Sequence, residues 1–356
     1  MKKILFVIGS LQSGGAERVA ARLCSHWSNK GYQITLATGV SEDTDFYEVD
    51  EKVKRSTLGF RYNVSGVINK LIEQFIRFFK IKAILKLGDY DVVILSATDI
   101  SIRFMLNLFF TKKKVIVCEH NNYYAVSSKF KRFVRLSLYL RASFTFVLTE
   151  RDREEYIKRG FSKDKLIVMP NPLGIPQPEE YIKRSPTKKL LAVGRLTKQK
   201  SFERLLNIFS FLDTGYKLTI VGDGEEKNKL LELSNQLGIS ERVYFAGNQK
   251  DIASFYLSHD ALLMTSIYEG LPMVIGEADA YSLPVIAYNC PTGPKEMIKD
   301  SFNGYLVENG DQYGFIEKVN QLFSCTKIYE NLSKGAYANS RSMAIDRIAE
   351  CWSKYL

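Results

Sequence analysis

The stretch ALLMTSIYEGLPMVIGEADAYSLPVIAY, residues 261–288, contains a short apolar run, a loop, a helical segment and a second apolar run. The runs at 261–266 and 284–288 have the length and composition of buried strands. One helix between two such strands predicts a β–α–β unit, and so a parallel sheet. Pro272 falls at the first helical position, where its missing N–H is tolerated. Gly270 and Leu271 then leave backbone N–H groups at the helix N-terminus, suited to an anion. Glu269 lies at the lip of that site. Glu277 follows about a turn and a half into the helix. Both carboxylates can accept hydrogen bonds from hydroxyls of one extended ligand, such as a sugar or a ribose. The spacing equally allows Glu277 to be a buried partner of an Arg or Lys.

The same alternation continues outward in both directions. Upstream, 189–194, 217–222 and 243–247 read as strands, with amphipathic helices at 201–212 and 225–238 between them. "AVGRLTKQKSFERLL" (192–206) puts Arg195 and Lys200 between a strand end and a helix. Two cations there can hold a diphosphate, or can be ordinary solvated side chains. "VGDGEE" (221–226) reads as a turn shaped by Gly222 and Gly224, with Glu225 and Glu226 in the first helical turn. It is not a metal site, and no clustered carboxylates suggest one elsewhere.

Before a Pro-rich linker at 171–180, the first half repeats the pattern with strands at 4–9, 33–39, 91–97, 114–119, 144–149 and 165–170. The expectation is two doubly wound α/β domains, ligands binding at strand C-termini facing a cleft. The boundaries are placed at 1–170 and 171–341, with a helix in 342–356 returning to the first domain. A chain of 356 residues suits two domains. Five cysteines, odd in number and without a CxxC pair, argue against a disulfide framework or structural zinc. They are expected to be buried free thiols in a reducing compartment. "MKKILFVIGS" reads as a first strand rather than a signal peptide, and no run is long enough for a transmembrane helix.

The net charge of +11 is uneven. Residues 1–170 hold 29 Lys+Arg against 17 Asp+Glu, and residues 171–356 hold 21 against 22. Only one half is therefore suited to an anionic partner, which argues against general nucleic-acid binding. In that half, Gly14 and Gly15 precede a helix starting near Ala16. The pair permits an anion to approach, or simply makes a tight turn. His120 ends the strand "VIVCEH"; a lone histidine is usually structural or solvated, and its place at a strand C-terminus strengthens the case for a role in a site. Residues 52–86 carry nine Lys+Arg and one acid. In 127–141, Lys129, Lys131, Arg132 and Arg135 alternate at helical spacing with Phe130, Phe133, Val134 and Leu138. A basic amphipathic helix of this kind can lie on an anionic bilayer or hold a pyrophosphate; it can also be a solvated face over a core stripe.

"GGAER", "EHN", "NP", "GRLTKQK", "GDGEE", "EGLPMVIGEA" and "PTGPKEMI", in this order along the chain, resemble glycosyltransferase family 4, retaining enzymes of the two-domain GT-B fold. The resemblance implies roles at matching positions. Gly14 and Gly15 line the donor diphosphate and acceptor side, and His120 contacts the donor sugar. Arg195 and Lys200 neutralise the diphosphate, with Gly270 and Leu271 at the same end. Glu269 holds the transferred sugar and Glu277 the ribose. No catalytic metal is implied. The donor implied is a UDP-sugar carrying a hexose or N-acetylhexosamine. The helix after "EHN" also resembles the membrane-facing helix of transferases that extend undecaprenyl-diphosphate glycans. That points to a lipid-linked polyprenyl-diphosphate acceptor, used in O-antigen, capsule or glycoprotein glycan assembly. The expected location is cytoplasmic, peripheral on the inner face of the cytoplasmic membrane. The competing readings are a GDP-mannose-dependent transferase, a sugar-nucleotide epimerase and a non-catalytic binder.

Overall fold

The computed structural model describes residues 1–12, 14–61, 64–108, 111–120, 123 and 128–356. Asn121 of the "EHN" motif, Ser127 at the head of the basic helix, and residues 62–63 lie outside the described residues. The chain divides into two compact units, Met1–Gly174 with Ile345–Leu356, and Ile175–Ala344. The sequence-based limits were 170 and 341.

The first unit holds β1 (Lys3–Ile8), α1 (Gly15–Asn29), β2 (Gln33–Thr38), β3 (Lys54–Thr57), α2 (Val67–Leu87), β4 (Val92–Ser96), α3 (Thr98–Leu108), β5 (Lys114–Cys118), α4 (Lys129–Tyr139), β6 (Phe144–Val147), α5 (Glu150–Ile157) and β7 (Leu166–Val168). Its sheet is parallel throughout, in the order β3-β2-β1-β4-β5-β6-β7. β1 shows why the strands read as unbroken apolar runs. Leu5 and Val7 pack toward one layer, with Ile81 and Ile84 of α2, Phe104 of α3 and Leu138 of α4. Ile4, Phe6 and Ile8 pack toward the other, with Trp27 of α1. A strand covered on both faces needs apolar residues at every position.

The second unit comprises β8 (Lys189–Val193), α6 (Phe202–Ser210), β9 (Lys217–Val221), α7 (Lys227–Gln236), β10 (Val243–Gly247), α8 (Ala253–Ser258), β11 (Ala261–Met264), α9 (Met273–Ala280), β12 (Val285–Tyr288), α10 (Pro294–Met297), β13 (Gly304–Val307), α11 (Gln312–Phe323) and α12 (Thr326–Ser340). Its parallel sheet runs β10-β9-β8-β11-β12-β13. In each sheet the first strand sits beside the fourth, where the direction of winding reverses; crevices at such switch points hold ligands.

A last helix, α13 (Ile345–Ser353), belongs to the first unit. Trp352 meets Trp27 edge-on at 5.3 Å and Phe146 at 4.7 Å. Lys2 Nζ donates to the Leu356 carbonyl at 2.6 Å.

Three sequence expectations need correction. β3 and β13 were missed, because KRST and GYLV lack the long apolar signature. Glu226 caps α7 and Glu225 precedes it, so neither lies inside the first turn. Cys24, Cys118 and Cys290 are buried free thiols, but Cys325 is exposed and Cys351 partly so. No helix among the described residues is long and apolar enough to cross a membrane.

Candidate active site

In the second unit, the loops after β8, β9 and β11 are locked together by their backbones. Gly194 N–H donates to Val221 O at 2.9 Å, and Leu196 N–H to Asp223 O at 2.9 Å. Gly222 has φ +139°, and a Cβ there would lie 2.0 Å from Gly194 O. Only glycine permits that approach. Across to β11, Ile267 N–H donates to Gln199 O at 2.8 Å, and Gln199 Nε2 to Tyr268 O at 2.9 Å.

This fixed frame carries Arg195, which is exposed, and Lys200. Lys200 Nζ lies 2.7 Å from Glu269 Oε1, with both side chains mostly shielded. The "EGLP" loop is braced from behind by residues 291–293. Glu269 N–H donates to Pro291 O at 2.8 Å, and Thr292 Oγ1 to Glu269 O at 2.8 Å. At Gly293, with φ +90°, a Cβ would lie 2.4 Å from Gly270 O. Gly270 and Leu271 remain partly accessible.

Pro272 is the residue before α9, with φ −75° and ψ 89°, one position earlier than the sequence reading placed it. The helix therefore begins at Met273. Glu277 is buried in it and accepts a hydrogen bond from Tyr256 Oη at 2.9 Å. That hydroxyl comes from α8, a partner the sequence reading did not name. A further carboxylate, Asp279, went unnoticed in the sequence. It is fully buried and accepts from Asn303 Nδ2 and Asn339 Nδ2, each at 2.8 Å. Burial raises its carboxyl well above the usual carboxylate range.

In the first unit, Gly14 caps α1 and Gly15 opens it, with nothing within 4 Å of a Cβ built on Gly15. His120 follows β5 and is half-buried. Its Nε2 lies 2.8 Å from Ser96 Oγ, at the end of β4. Its Nδ1 is buried without a hydrogen-bond partner. Burial pushes the imidazole down to about 4, so it is neutral at pH 7.

The neighbouring Glu119 anchors a buried polar cluster that the sequence did not reveal. It accepts from Thr98 Oγ1 at 2.8 Å and from Tyr139 Oη, and lies 3.5 Å from Arg135 Nη1. Arg135 also donates to the Tyr123 carbonyl at 3.0 Å and lies over the Tyr123 and Tyr156 rings. Arg135 was expected on the membrane or acceptor face. It is instead fully buried, because the turn of α4 that carries it points at Glu119. Lys129 and Lys131 are exposed, Lys131 lying 3.5 Å from Asp99, and Arg132 is half-buried. The apolar stripe of α4 also divides: Leu138 is buried, whereas Phe130 and Phe133 face solvent. Among the described residues, no group of three or more His, Cys, Asp or Glu side chains converges as metal ligands would.

Two Rossmann-type units, the second carrying a braced Glu-Gly-Leu-Pro loop beside a lysine and a buried helical glutamate, define a GT-B glycosyltransferase. The chain belongs to the group 1, family 4-like glycosyltransferases. The "Glycosyl transferases group 1" family model matches residues 176–339, and the "Glycosyltransferase Family 4" model matches residues 13–174. The chain is 34% identical over 366 residues to the amylovoran biosynthesis glycosyltransferase AmsD of Erwinia amylovora, covering 100% of both chains. It is 27% identical over 362 residues to a Campylobacter jejuni enzyme, covering 100% of this chain and 98% of that one. That relative is named GalNAc-alpha-(1->4)-GalNAc-alpha-(1->3)-diNAcBac-PP-undecaprenol alpha-1,4-N-acetyl-D-galactosaminyltransferase. Among solved structures, Anabaena HepE in complex with UDP shares the fold with a TM-score of 0.80, at 17% identity over 99% of each chain.

Proposed function

We propose that this glycosyltransferase moves a hexose or N-acetylhexosamine, with retention, from a UDP-sugar to a lipid-linked polyprenyl-diphosphate glycan. The product would serve O-antigen, capsule or glycoprotein glycan assembly. The observation that carries the donor half is the Lys200–Glu269 pair held at 2.7 Å beside the partly accessible Gly270–Leu271 backbone. An ammonium has three donors. One can stay on Glu269 while others meet a diphosphate, so a single lysine ties the leaving group to the carboxylate that holds the sugar. Arg195 adds a second cation on the same loop. Glu277, oriented by Tyr256, accepts the ribose hydroxyls.

Cleavage of the sugar–phosphate bond places negative charge on the diphosphate and oxocarbenium character on the sugar. Fixed donors stabilise the former without reorganisation. The leaving phosphate takes the acceptor's proton, so no carboxylate nucleophile and no metal is invoked. His120, neutral, is the catalytic group of the first unit and offers a hydrogen bond rather than a charge to the sugar. Gly14 and Gly15 line the donor diphosphate and acceptor side.

The acceptor half is supported by the Campylobacter relative, whose name carries an undecaprenol diphosphate, and by Lys129, Lys131 and Arg132 on α4. These cations suit a pyrophosphate or an anionic membrane, and the enzyme works at the inner face of the cytoplasmic membrane. UDP as the nucleotide is supported by the HepE complex. Calorimetry with UDP, GDP, ADP and their sugar conjugates tests the donor. Micromolar binding of a UDP-sugar, lost in Arg195→Ala and Glu277→Ala, is the expected result. A preference for GDP-sugars overturns the UDP assignment, and no nucleotide binding by folded protein overturns the donor site.

A further inference from the structure

Helix α2 is inverted relative to a helix on a water-facing surface. Its buried positions are Glu73, Arg77, Ile81 and Ile84. Its outward stripe, at i, i+3, i+4, i+7 and i+11, is Ile68, Leu71, Ile72, Phe75 and Phe79, each about half exposed or more. In a helix packed against a core and facing water, the apolar stripe points inward. Ile81 and Ile84 obey that rule, but the preceding two turns reverse it, with Glu73 and Arg77 inward and the apolar stripe outward. Arg77 Nε holds Glu73 Oε1 at 2.9 Å, the Arg61 N–H donates to the same oxygen at 3.0 Å, and the Arg77 guanidinium lies over the Phe60 ring. The inward pair thus fixes the rotation of the helix and with it the outward face.

The charges identify what covers that face. The exposed ionisable residues of α2 are Lys70, Lys80, Lys82 and Lys86, and its one acid, Glu73, is buried. The stripe spans roughly 16 Å of helix, and Lys82 and Lys86 continue along the same side. Apolar and aromatic residues flanked only by lysines are complementary to an anionic bilayer and repel a second copy of themselves. α2 packs on α3 and α3 on α4, so the exposed Phe130 and Phe133 belong to the same layer of helices.

We propose that α2 lies in the interfacial plane of an anionic phospholipid bilayer, with Ile68, Leu71, Ile72, Phe75 and Phe79 inserted among the acyl chains. This rests on the membrane location proposed above, but it assigns the anchoring to α2 and leaves α4 to the acceptor. Each lysine near the surface contributes about fivefold to partitioning at low salt.

The test is flotation of the full chain with phosphatidylcholine vesicles, with and without phosphatidylglycerol. The wild type floats with the anionic vesicles, and Ile72→Ser/Phe75→Ser/Phe79→Ser loses about tenfold or more in partitioning with an unchanged circular-dichroism melt. Fluorescence of Phe79→Trp blue-shifts on vesicle addition and is quenched by brominated lipid, a readout that does not depend on the triple variant folding. If the wild type floats and the triple variant floats equally, or the Phe79→Trp signal is unchanged by vesicles, α2 is not the anchor, and the membrane reading stands on α4. If the wild type fails to float, the membrane location falls with it, and the donor site remains to calorimetry. A lipid-free wild-type dimer that the triple variant abolishes would make this face a subunit interface and overturn the proposal.

Discussion

Each unit carries a glutamate at the carboxyl end of its sheet with a cation beside it, and the two pairs differ in access. Arg135 and Glu119 are sealed in the first unit, with the guanidinium against two tyrosine rings and the carboxylate held by Thr98 and Tyr139. Lys200 and Glu269, in the second, keep a small exposed fraction and sit beside loop backbone that solvent reaches. A sealed pair holds helix α4 to its strand, and a ligand has no route to it. A pair at the edge of an accessible loop can exchange part of its hydrogen bonding for a substrate. The charge pattern is shared by both, so access separates scaffold from site.

The largest effect should come from breaking the sealed pair. Arg135→Ala leaves Glu119 buried without its cation and is expected to destabilise the protein by about 3–5 kcal/mol, read from urea or thermal unfolding. Lys200→Ala should cost less in the same assay, because its pair keeps a small exposed fraction, while strongly weakening nucleotide binding. Equal destabilisation by the two would erase the distinction.

Glu277→Gln sharpens the comparison within the second unit. The amide oxygen can still accept from Tyr256, so the melting temperature should move little. Affinity for a UDP-sugar should fall about tenfold, since a hydrogen bond from a ribose hydroxyl to a charged acceptor is lost, and calorimetry measures it. Unchanged affinity would remove Glu277 from the donor site.

pH separates the units again, with opposite signs. His120 titrates near 4 when folded and near 6.5 when unfolded, so between these values the unfolded chain binds more protons. Its contribution is complete above pH 6.5 and is lost as pH falls toward 4, on the order of 2–3 kcal/mol. NMR of the imidazole should show no titration near pH 6.5. Asp279 is raised, so the folded chain holds the extra proton above pH 3.8, and its contribution declines as pH rises. Asp279→Asn should flatten that decline. At neutral pH it should change stability by about 1 kcal/mol or less, since an amide oxygen can accept from Asn303 and Asn339.

The sequence made the sheets legible because doubly covered strands such as β1, β4 and β12 carry unbroken apolar runs of four residues or more. It concealed β3, whose residues are Lys54, Arg55, Ser56 and Thr57, because an edge strand can be polar. Periodicity grouped the residues of α4, and the 52–86 segment was read from its charge count alone; neither told which residues face inward. That choice depends on Glu119 and Glu73, single carboxylates on the inward side. Lys200 and Glu269 each stood out in their own motifs, 69 positions apart, yet their contact depends on loops joined through Gln199, Ile267 and Tyr268. Asp279 was hidden because its amide partners, Asn303 and Asn339, come from later elements.

The return of α13 to the first unit has a consequence for the order of events during synthesis. Trp27 and Phe146 emerge from the ribosome long before Trp352, and residues 175–344 must be made in between. At roughly 5–20 residues per second, those 170 residues take about 10–35 s. During that interval the nascent first unit shows an uncovered aromatic floor to solvent, where a chaperone can bind, while the second unit, continuous in sequence, is free to finish folding first.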